Sequence, residues 1–376
     1  MRAAAIEAMT AELTRVGNPS SLHTSGRDAR RVLEESREVI ADSLGAQPAE
    51  VIFTSGATEA DNLIMTGAVQ ARRRAGGEDP VVVTSTVEHH AVLETAQAIA
   101  AAGLARVEWL GVSPDGLIDL DQLRLMIKQE AERIAVLTVM WANNETGVVQ
   151  PIEQLATLAR DAGVLVHSDA VQAVGQLPID FAGSGLDALS LSAHTFGGPV
   201  GIGALLARKE TELVPVQHGG GQERDLRSGT LDVAAAAGCA AAIKISTDGV
   251  AAEAVRLRGL RDELIKGALA IDGTELNGTM DPERSLPGIA NILFTGCHAD
   301  DLLMLLDQAG IDCSTGSACT AGVSQPSHVL EAMGRTREQA GSSLRFSLGH
   351  TTAGADIDQL LTVLPDAVGR ARRVSR

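Results

Sequence analysis

From Val51 to Ala207 the sequence alternates short apolar strand patterns with helical ones, and strand after strand stops at small or polar residues. Val51–Thr54 runs into Ser55-Gly56-Ala57-Thr58, and Val81–Ser85 is followed by Glu88-His89-His90. The run from Ala135 to Met140 ends in Trp141-Ala142-Asn143-Asn144, and the run from Val164 to Ser168 ends in Asp169-Ala170-Val171-Gln172. Leu186 to Ser192 stops at Ala193-His194-Thr195, just before the glycine-rich stretch Gly197 to Gly203. Such alternation requires an α/β fold with a mostly parallel sheet, because a parallel pair needs a long crossover and a helix is the usual one. Ligands of open parallel sheets sit at the carboxyl ends of the strands. Thr58, His89, Asn144, Asp169, Gln172, Ser192 and His194 are therefore expected to converge at one edge.

With 376 residues the chain is long for one hydrophobic core, which predicts two domains. After Thr230 the regular alternation stops. An Ala-rich helix and a long amphipathic one lead into shorter mixed elements around 289–294, 300–309, 311–313 and 343–347, and a last helix from 356 to 373. The expected division is a large domain over 1–246 and a smaller α+β domain over 247–376, with the helical residues 1–16 packing on the smaller one.

The net charge of −17 argues against nucleic acid or an anionic membrane as partner. No run is apolar and long enough to span a bilayer and no signal-peptide pattern follows Met1, so the expected location is the cytoplasm. The four cysteines, Cys239, Cys297, Cys313 and Cys319, form no CxxC pair and suggest neither a disulfide framework nor a zinc site. Cys239 sits in an Ala-rich run and reads as core. Cys319 follows Ser314-Thr315-Gly316-Ser317-Ala318, where a thiol has room to move.

The strand-end residues suggest a chemistry. A carboxylate such as Asp169 suits a protonated pyridine nitrogen, and an imidazole such as His89 can stack on a flat ring. The helix start at Ala57-Thr58, with Ser192, His194 and Thr230, suits a phosphate. Together these make a pocket for pyridoxal 5'-phosphate. Singly, each residue reads better as a capped turn or a satisfied core polar group, and only their joint occurrence at successive strand ends favours the pocket.

The motifs taken together resemble a cysteine desulfurase of the iron–sulfur-cluster type, within the class V aminotransferases. They run nearly end to end: Asn18-Pro19-Ser20-Ser21, Ser55-Gly56-Ala57-Thr58-Glu59, Val87-Glu88-His89, Asn143-Asn144-Glu145, His167-Ser168-Asp169-Ala170-Val171-Gln172, Ser192-Ala193-His194, His218-Gly219-Gly220-Gly221-Gln222-Glu223, Arg227-Ser228-Gly229-Thr230, Gly316-Ser317-Ala318-Cys319 and Leu344-Arg345-Phe346-Ser347. The resemblance implies a fold-type I pyridoxal-phosphate enzyme, working as a homodimer and passing sulfur to an acceptor protein such as an iron–sulfur scaffold. It implies that His89 stacks on the ring, Asp169 pairs with the pyridine nitrogen and Gln172 donates to the phenolic oxygen. Ala57, Thr58, Ser192 and His194 would hold the phosphate, with Thr230 coming from the other subunit. Asn144, counted also among the cofactor ligands, and Arg345 would take the carboxylate of L-cysteine. Cys319 would be the nucleophile that receives sulfur and leaves alanine.

Two positions depart from the family pattern. The family's N-terminal Asp/Asn-Ala-Ala-Thr-Thr segment is missing ahead of Met1, so either the sequence is truncated or its contacts are lost. More sharply, the family's Schiff-base lysine should directly follow Ser192-Ala193-His194, and Thr195 stands there. A hydroxyl cannot form an imine and is a poor base for proton transfer. The expectation is an inactive or trapped desulfurase, by an engineered exchange or by natural loss, unless an error or processing artefact stands at this one position. A cofactor-binding scaffold protein and a selenocysteine lyase are the rival readings.

Overall fold

The computed structural model describes residues 1–316 and 325–374, and the chain divides into two compact units. The first comprises Met1–Leu110, Leu120–Trp141 and Pro151–Val250. In chain order it carries α1 (Ala3–Leu13), α2 (Thr24–Leu44), β1 (Val51–Thr54), α3 (Ala57–Arg74), β2 (Val81–Ser85), α4 (His90–Ala101), β3 (Arg106–Leu110), α5 (Leu120–Glu130) and β4 (Ile134–Thr138). It continues with α6 (Ile152–Arg160), β5 (Val166–Asp169), α7 (Phe181–Ser184), β6 (Ala188–Ser192), β7 (Gly203–Ala207) and α8 (Val233–Asp248).

The seven strands form one sheet in the order β1-β7-β6-β5-β4-β2-β3. Strand β7 alone runs against its neighbours, pairing antiparallel with both β6 and β1, so the other six point the same way. All strands but the edge strand β3 are buried along their length, as expected of a sheet covered on both faces. Their Val, Ile, Leu and Ala side chains supply the core in a chain where only 2% of residues are aromatic. Helix α2 buries Val32, Leu33, Ile40, Ala41 and Leu44 and stops at Gly45, which takes the left-handed conformation (φ 66°) that glycine adopts without penalty. The small side chains of α8 let α1 and α2 pack closely on it. The N-terminal helix therefore lies on the large unit, and the expected packing of residues 1–16 on the small domain is corrected.

The second unit comprises Gly111–Asp119, Ala142–Gln150 and Ala251–Arg376. It holds α9 (Val250–Leu269), β8 (Thr274–Asn277), β9 (Ile289–Phe294), α10 (Ala299–Asp307), β10 (Ser314–Thr315), α11 (His328–Ala332), α12 (Arg337–Ala340), β11 (Ser343–Ser347) and α13 (Gly354–Val374). Its four-stranded antiparallel sheet has the order β10-β11-β9-β8, and Leu264, Ile292, Phe294, Leu302, Leu344, Leu364 and Val368 fill its core. The α/β large unit with a smaller α+β unit is as expected, but the boundary is not a single cut. Residues 111–119 and 142–150 leave the large unit's chain path and belong to the second, taking Asn144 with them. Among the described residues no single helix is long and apolar enough to cross a membrane.

Candidate active site

The edge of the large sheet where the parallel strands end gathers most of the expected residues. β1 delivers Ala57 and Thr58 at the start of α3, β2 delivers His89, β5 delivers Asp169 and Gln172, and β6 delivers Ser192, His194 and Thr195. Gly56, before α3, has φ 153°, and no side chain caps the helix start, so its first amides are left for another acceptor. Where Ser192 faces Gly203 across the β6–β7 pair, a Cβ on Gly203 would meet the Leu191 carbonyl and lie 2.8 Å from the Gly56 Cα. Only glycine allows the two turns to approach so closely. Ser192 Oγ and His194 Nδ1 are 2.9 Å apart. Thr58, His194 and Thr230 are exposed, and Thr230 lines a small cavity of about 90 Å³ with Ser55, Gly201 and Arg227.

Asp169 is buried, and its Oδ1 accepts from the Val171 N–H at 2.9 Å, a bond that does not engage Oδ2. Burial raises its pKa to about 6, with the Val171 amide opposing. His89 caps α4, its Nδ1 accepting from the Ala91 N–H at 3.2 Å, which fixes the proton on Nε2 when the ring is neutral.

Thr195 lies in a short 3-10 turn after β6, half-buried. Its hydroxyl is 2.9 Å from the Ser192 carbonyl and 3.0 Å from that of Val171, and donates to this pair. Arg2 braces the turn, its backbone N–H donating to Gly197 O at 2.8 Å and its Nε to Phe196 O at 3.1 Å. None of the four lysines takes the place of Thr195. Lys128 is on α5, Lys209 follows β7 at the opposite edge of the sheet, and Lys244 pairs with Asp248 at 3.0 Å on the exposed side of α8. Lys266 belongs to α9 of the second unit.

Beneath this edge lies a buried polar cluster that the sequence reasoning missed. His167 Nδ1 is 2.8 Å from Thr138 Oγ1, and its Nε2 is 2.8 Å from Ser190 Oγ. Asp61 Oδ1 stands 3.7 Å from His167 Nε2, beyond hydrogen-bond length, and neither Asp61 oxygen has a geometric hydrogen-bond partner among the described residues. Burial pushes the Asp61 pKa well above the carboxylate range, with the neighbouring Asp169 adding to it and Ser190 opposing. Burial also lowers His167 to about 3, so its ring is neutral near pH 7. Glu88 is buried too and raised to about 8, although the Ser85 hydroxyl and the Met140 N–H donate to it.

Two further glutamates brace the loops. Glu59 Oε2 accepts from the Ser55 N–H at 2.6 Å and its Oε1 from Arg227 Nε at 2.8 Å. Burial works against the Glu59 charge, yet these bonds hold its pKa below the ordinary value. Glu223 takes both terminal nitrogens of Arg37, at 2.7 and 2.8 Å, and the Phe53 N–H at 2.7 Å. Glu223, Arg224 and Asp225 have φ of 31°, 59° and 59°. For residues with a Cβ, left-handed backbone costs about 1–2 kcal/mol each.

In the second unit, Arg345 on β11 donates from Nη1 to the Asn144 carbonyl at 2.9 Å, and its Nε is buried without a hydrogen-bond partner among the described residues. Asn144 thus keeps company with Arg345 and does not belong to the unit that carries the sheet edge. The next residue, Glu145, accepts from the Ser327 hydroxyl, and burial raises its pKa to about 7 while Ser327 and Arg345 oppose. Cys319, the expected nucleophile, lies outside the described residues.

In sequence and in fold the chain is similar to known proteins. The model of the class-V aminotransferase family matches residues 2–360. The chain belongs to that family. It is 55% identical over 376 residues to an IscS-like cysteine desulfurase of Mycobacterium tuberculosis, covering 100% of this chain and 95% of the relative. A solved NifS-like protein superposes with a TM-score of 0.90 at 32% identity, covering 98% of this chain and 96% of the other. The structure described as SspA in complex with cysteine gives a TM-score of 0.78 at 31% identity over 93% of this chain and 95% of that one. Class-V aminotransferases depend on pyridoxal phosphate, and the large unit's residues fit that group. A buried carboxylate keeps an oxygen outside its backbone bond, an uncapped helix start offers amides, and Gly56 and Gly203 leave the seam between them free of side chains.

Proposed function

We propose that this chain is a cysteine desulfurase scaffold that holds pyridoxal phosphate without a covalent link, and converts L-cysteine to L-alanine very slowly or not at all. The observation that carries the reading is Thr195: its hydroxyl is tied to two backbone carbonyls at the position where the family pattern calls for a lysine, at the sheet edge that also carries Ala57, Thr58, His89, Asp169, Gln172, Ser192 and His194. When bound, the cofactor supplies an electron sink for the substrate's α-carbon. Asp169 would hold the pyridine nitrogen, His89 the ring face and Gln172 the phenolic oxygen. Ala57, Thr58, Ser192 and His194 would hold the phosphate, with Thr230 coming from the other subunit. Asn144 and the planar guanidinium of Arg345 would take the substrate carboxylate. In the full reaction the substrate's carbon–sulfur bond breaks and a sulfur–sulfur bond forms on Cys319, so that cysteine plus thiol gives alanine plus persulfide. Without a lysine at 195 no amine is placed to accept the α-proton, and that step is the one expected to stall.

We place the protein in the cytoplasm, as a homodimer that serves a sulfur-acceptor protein. The exposure of Leu13, Val16, Leu22 and Val200, at 63, 87, 87 and 84%, supports burial against a second copy. Visible absorption spectra with pyridoxal phosphate, before and after L-cysteine, test the main reading. Thr195→Lys is expected to produce a new absorption band with the cofactor and to restore alanine and sulfide release. Robust turnover by the unaltered chain would refute it. A scaffold protein is the second reading, favoured by the same threonine, and predicts that an acceptor protein binds equally well with and without cofactor.

A further inference from the structure

The loop from His218 to Thr230 is fastened to the β1–α3 turn at two points, and both are carboxylates. Glu59 joins the Ser55 amide to Arg227, three residues before Thr230. Glu223 joins the Phe53 amide and the Arg37 guanidinium, which also donates to Val51 O at 2.6 Å and lies over the Phe53 ring at 4.8 Å. Between these fastenings the backbone passes through three successive left-handed residues, none of them glycine. Such a turn does not persist on its own preference. It needs fixed partners on one side, and the Glu223 side chain, 3% exposed, provides them. Downstream, Leu226 N–H donates to Glu223 O at 3.0 Å and Gly229 N–H to Gln222 Oε1 at 2.9 Å, so the turn's geometry passes directly to the segment that ends in Thr230.

We infer that Glu223 is a positioning residue for the cofactor's phosphate: by clamping Arg37 and the Phe53 amide it holds the left-handed turn Glu223–Asp225, and so fixes the Arg227–Thr230 segment from which Thr230 would reach the phosphate of the other subunit. This rests on the phosphate role proposed for Thr58 and Thr230. The clamp and the strained turn are two parts of one device, and they can be tested separately. Asp225 is exposed, so substitutions there change the turn's backbone preference without opening the core.

The test is titration of the intact chain with pyridoxal 5'-phosphate and, separately, with pyridoxal, which lacks the phosphate. Thermal unfolding of each variant is measured alongside. Glu223→Gln is expected to weaken pyridoxal phosphate about tenfold or more, the loss of a buried charge-assisted clamp, and to leave pyridoxal binding unchanged. Asp225→Val, which keeps the amide but resists the left-handed conformation, is expected to act the same way. Asp225→Gly is expected to bind as the parent does, and to restore most of the affinity when combined with Glu223→Gln. Equal loss of both ligands, or no rescue by glycine, would overturn the inference. If Glu223→Gln does not fold, the two Asp225 variants decide: equal binding by Val and Gly overturns it. Thr58→Ala is the control for the underlying reading. If it binds pyridoxal phosphate like the parent, the phosphate assignment falls and the inference with it. If Thr58→Ala weakens binding and Glu223→Gln does not, only the inference falls.

Discussion

Gly203 shows how much of the candidate site depends on what a residue lacks. It begins the one strand that runs against the rest of the large sheet, and it separates the phosphate-suited turn after β1 from Ser192 on β6. A methyl group there would meet backbone on both sides, the Leu191 carbonyl and the Gly56 Cα, and backbone cannot rotate aside as a long side chain can. Gly203→Ala is therefore expected to destabilise the fold by about 1–3 kcal/mol, read from urea unfolding. It is also expected to weaken pyridoxal phosphate more than pyridoxal, because the displaced element is the Gly56 turn. Unchanged affinity in a folded variant would separate the seam from cofactor binding.

At the scale of elements, the glutamates of the family motifs act as braces between a turn and a distant segment. Glu59 ties α3's first turn to Arg227, Glu88 ties the β2–α4 loop to Met140, Glu145 meets Ser327 and Glu223 meets Phe53. The chain separations, 168, 52, 182 and 170 residues, explain why their roles were hidden in the sequence although every one of these residues stood inside a quoted motif. What could be read were the local signals: strand–helix alternation, glycine stops, and polar residues at strand ends. β8 was missed because Thr274–Asn277 carries a single β-branched residue and no clean alternation. Asn144 was placed in the wrong unit because its segment leaves and rejoins the large unit's chain path, which periodicity does not register. The brace at Glu88 also has a pH signature. Its pKa is 4.5 ordinarily and about 8 in the fold, so between these values the folded chain holds a proton that the unfolded chain has lost. Stability should then fall as pH rises through that window, by a few kcal/mol at about 1.4 per pH unit. Glu88→Gln is expected to flatten this part of the profile, measured by urea unfolding at several pH values. An unaltered slope would mean that other groups carry it.

At the scale of the whole molecule, the exposed apolar side chains near the N-terminus carry the next prediction. Leu13 and Leu22 show 63 and 87% of their surface to solvent. If a second copy covers them, Leu13→Asp with Leu22→Asp should shift the protein from dimer to monomer in sedimentation. The same pair of substitutions should leave the isolated fold's unfolding temperature nearly unchanged, because neither side chain contributes to its core. A parent chain that sediments as a monomer would remove the homodimer proposal.

The turn at Thr195 has a consequence beyond the present chain. The Thr195 hydroxyl holds it to the Val171 and Ser192 carbonyls, and Arg2 and Ser246, both donating to Phe196 O, at 3.1 and 3.0 Å, hold it independently of the side chain at 195. Threonine and lysine codons can differ by a single base. On the function proposed above, loss of the reaction and its recovery are one base change apart. A lineage can keep such a protein for its binding surfaces while its chemistry is silent, and natural selection can act on the two properties separately.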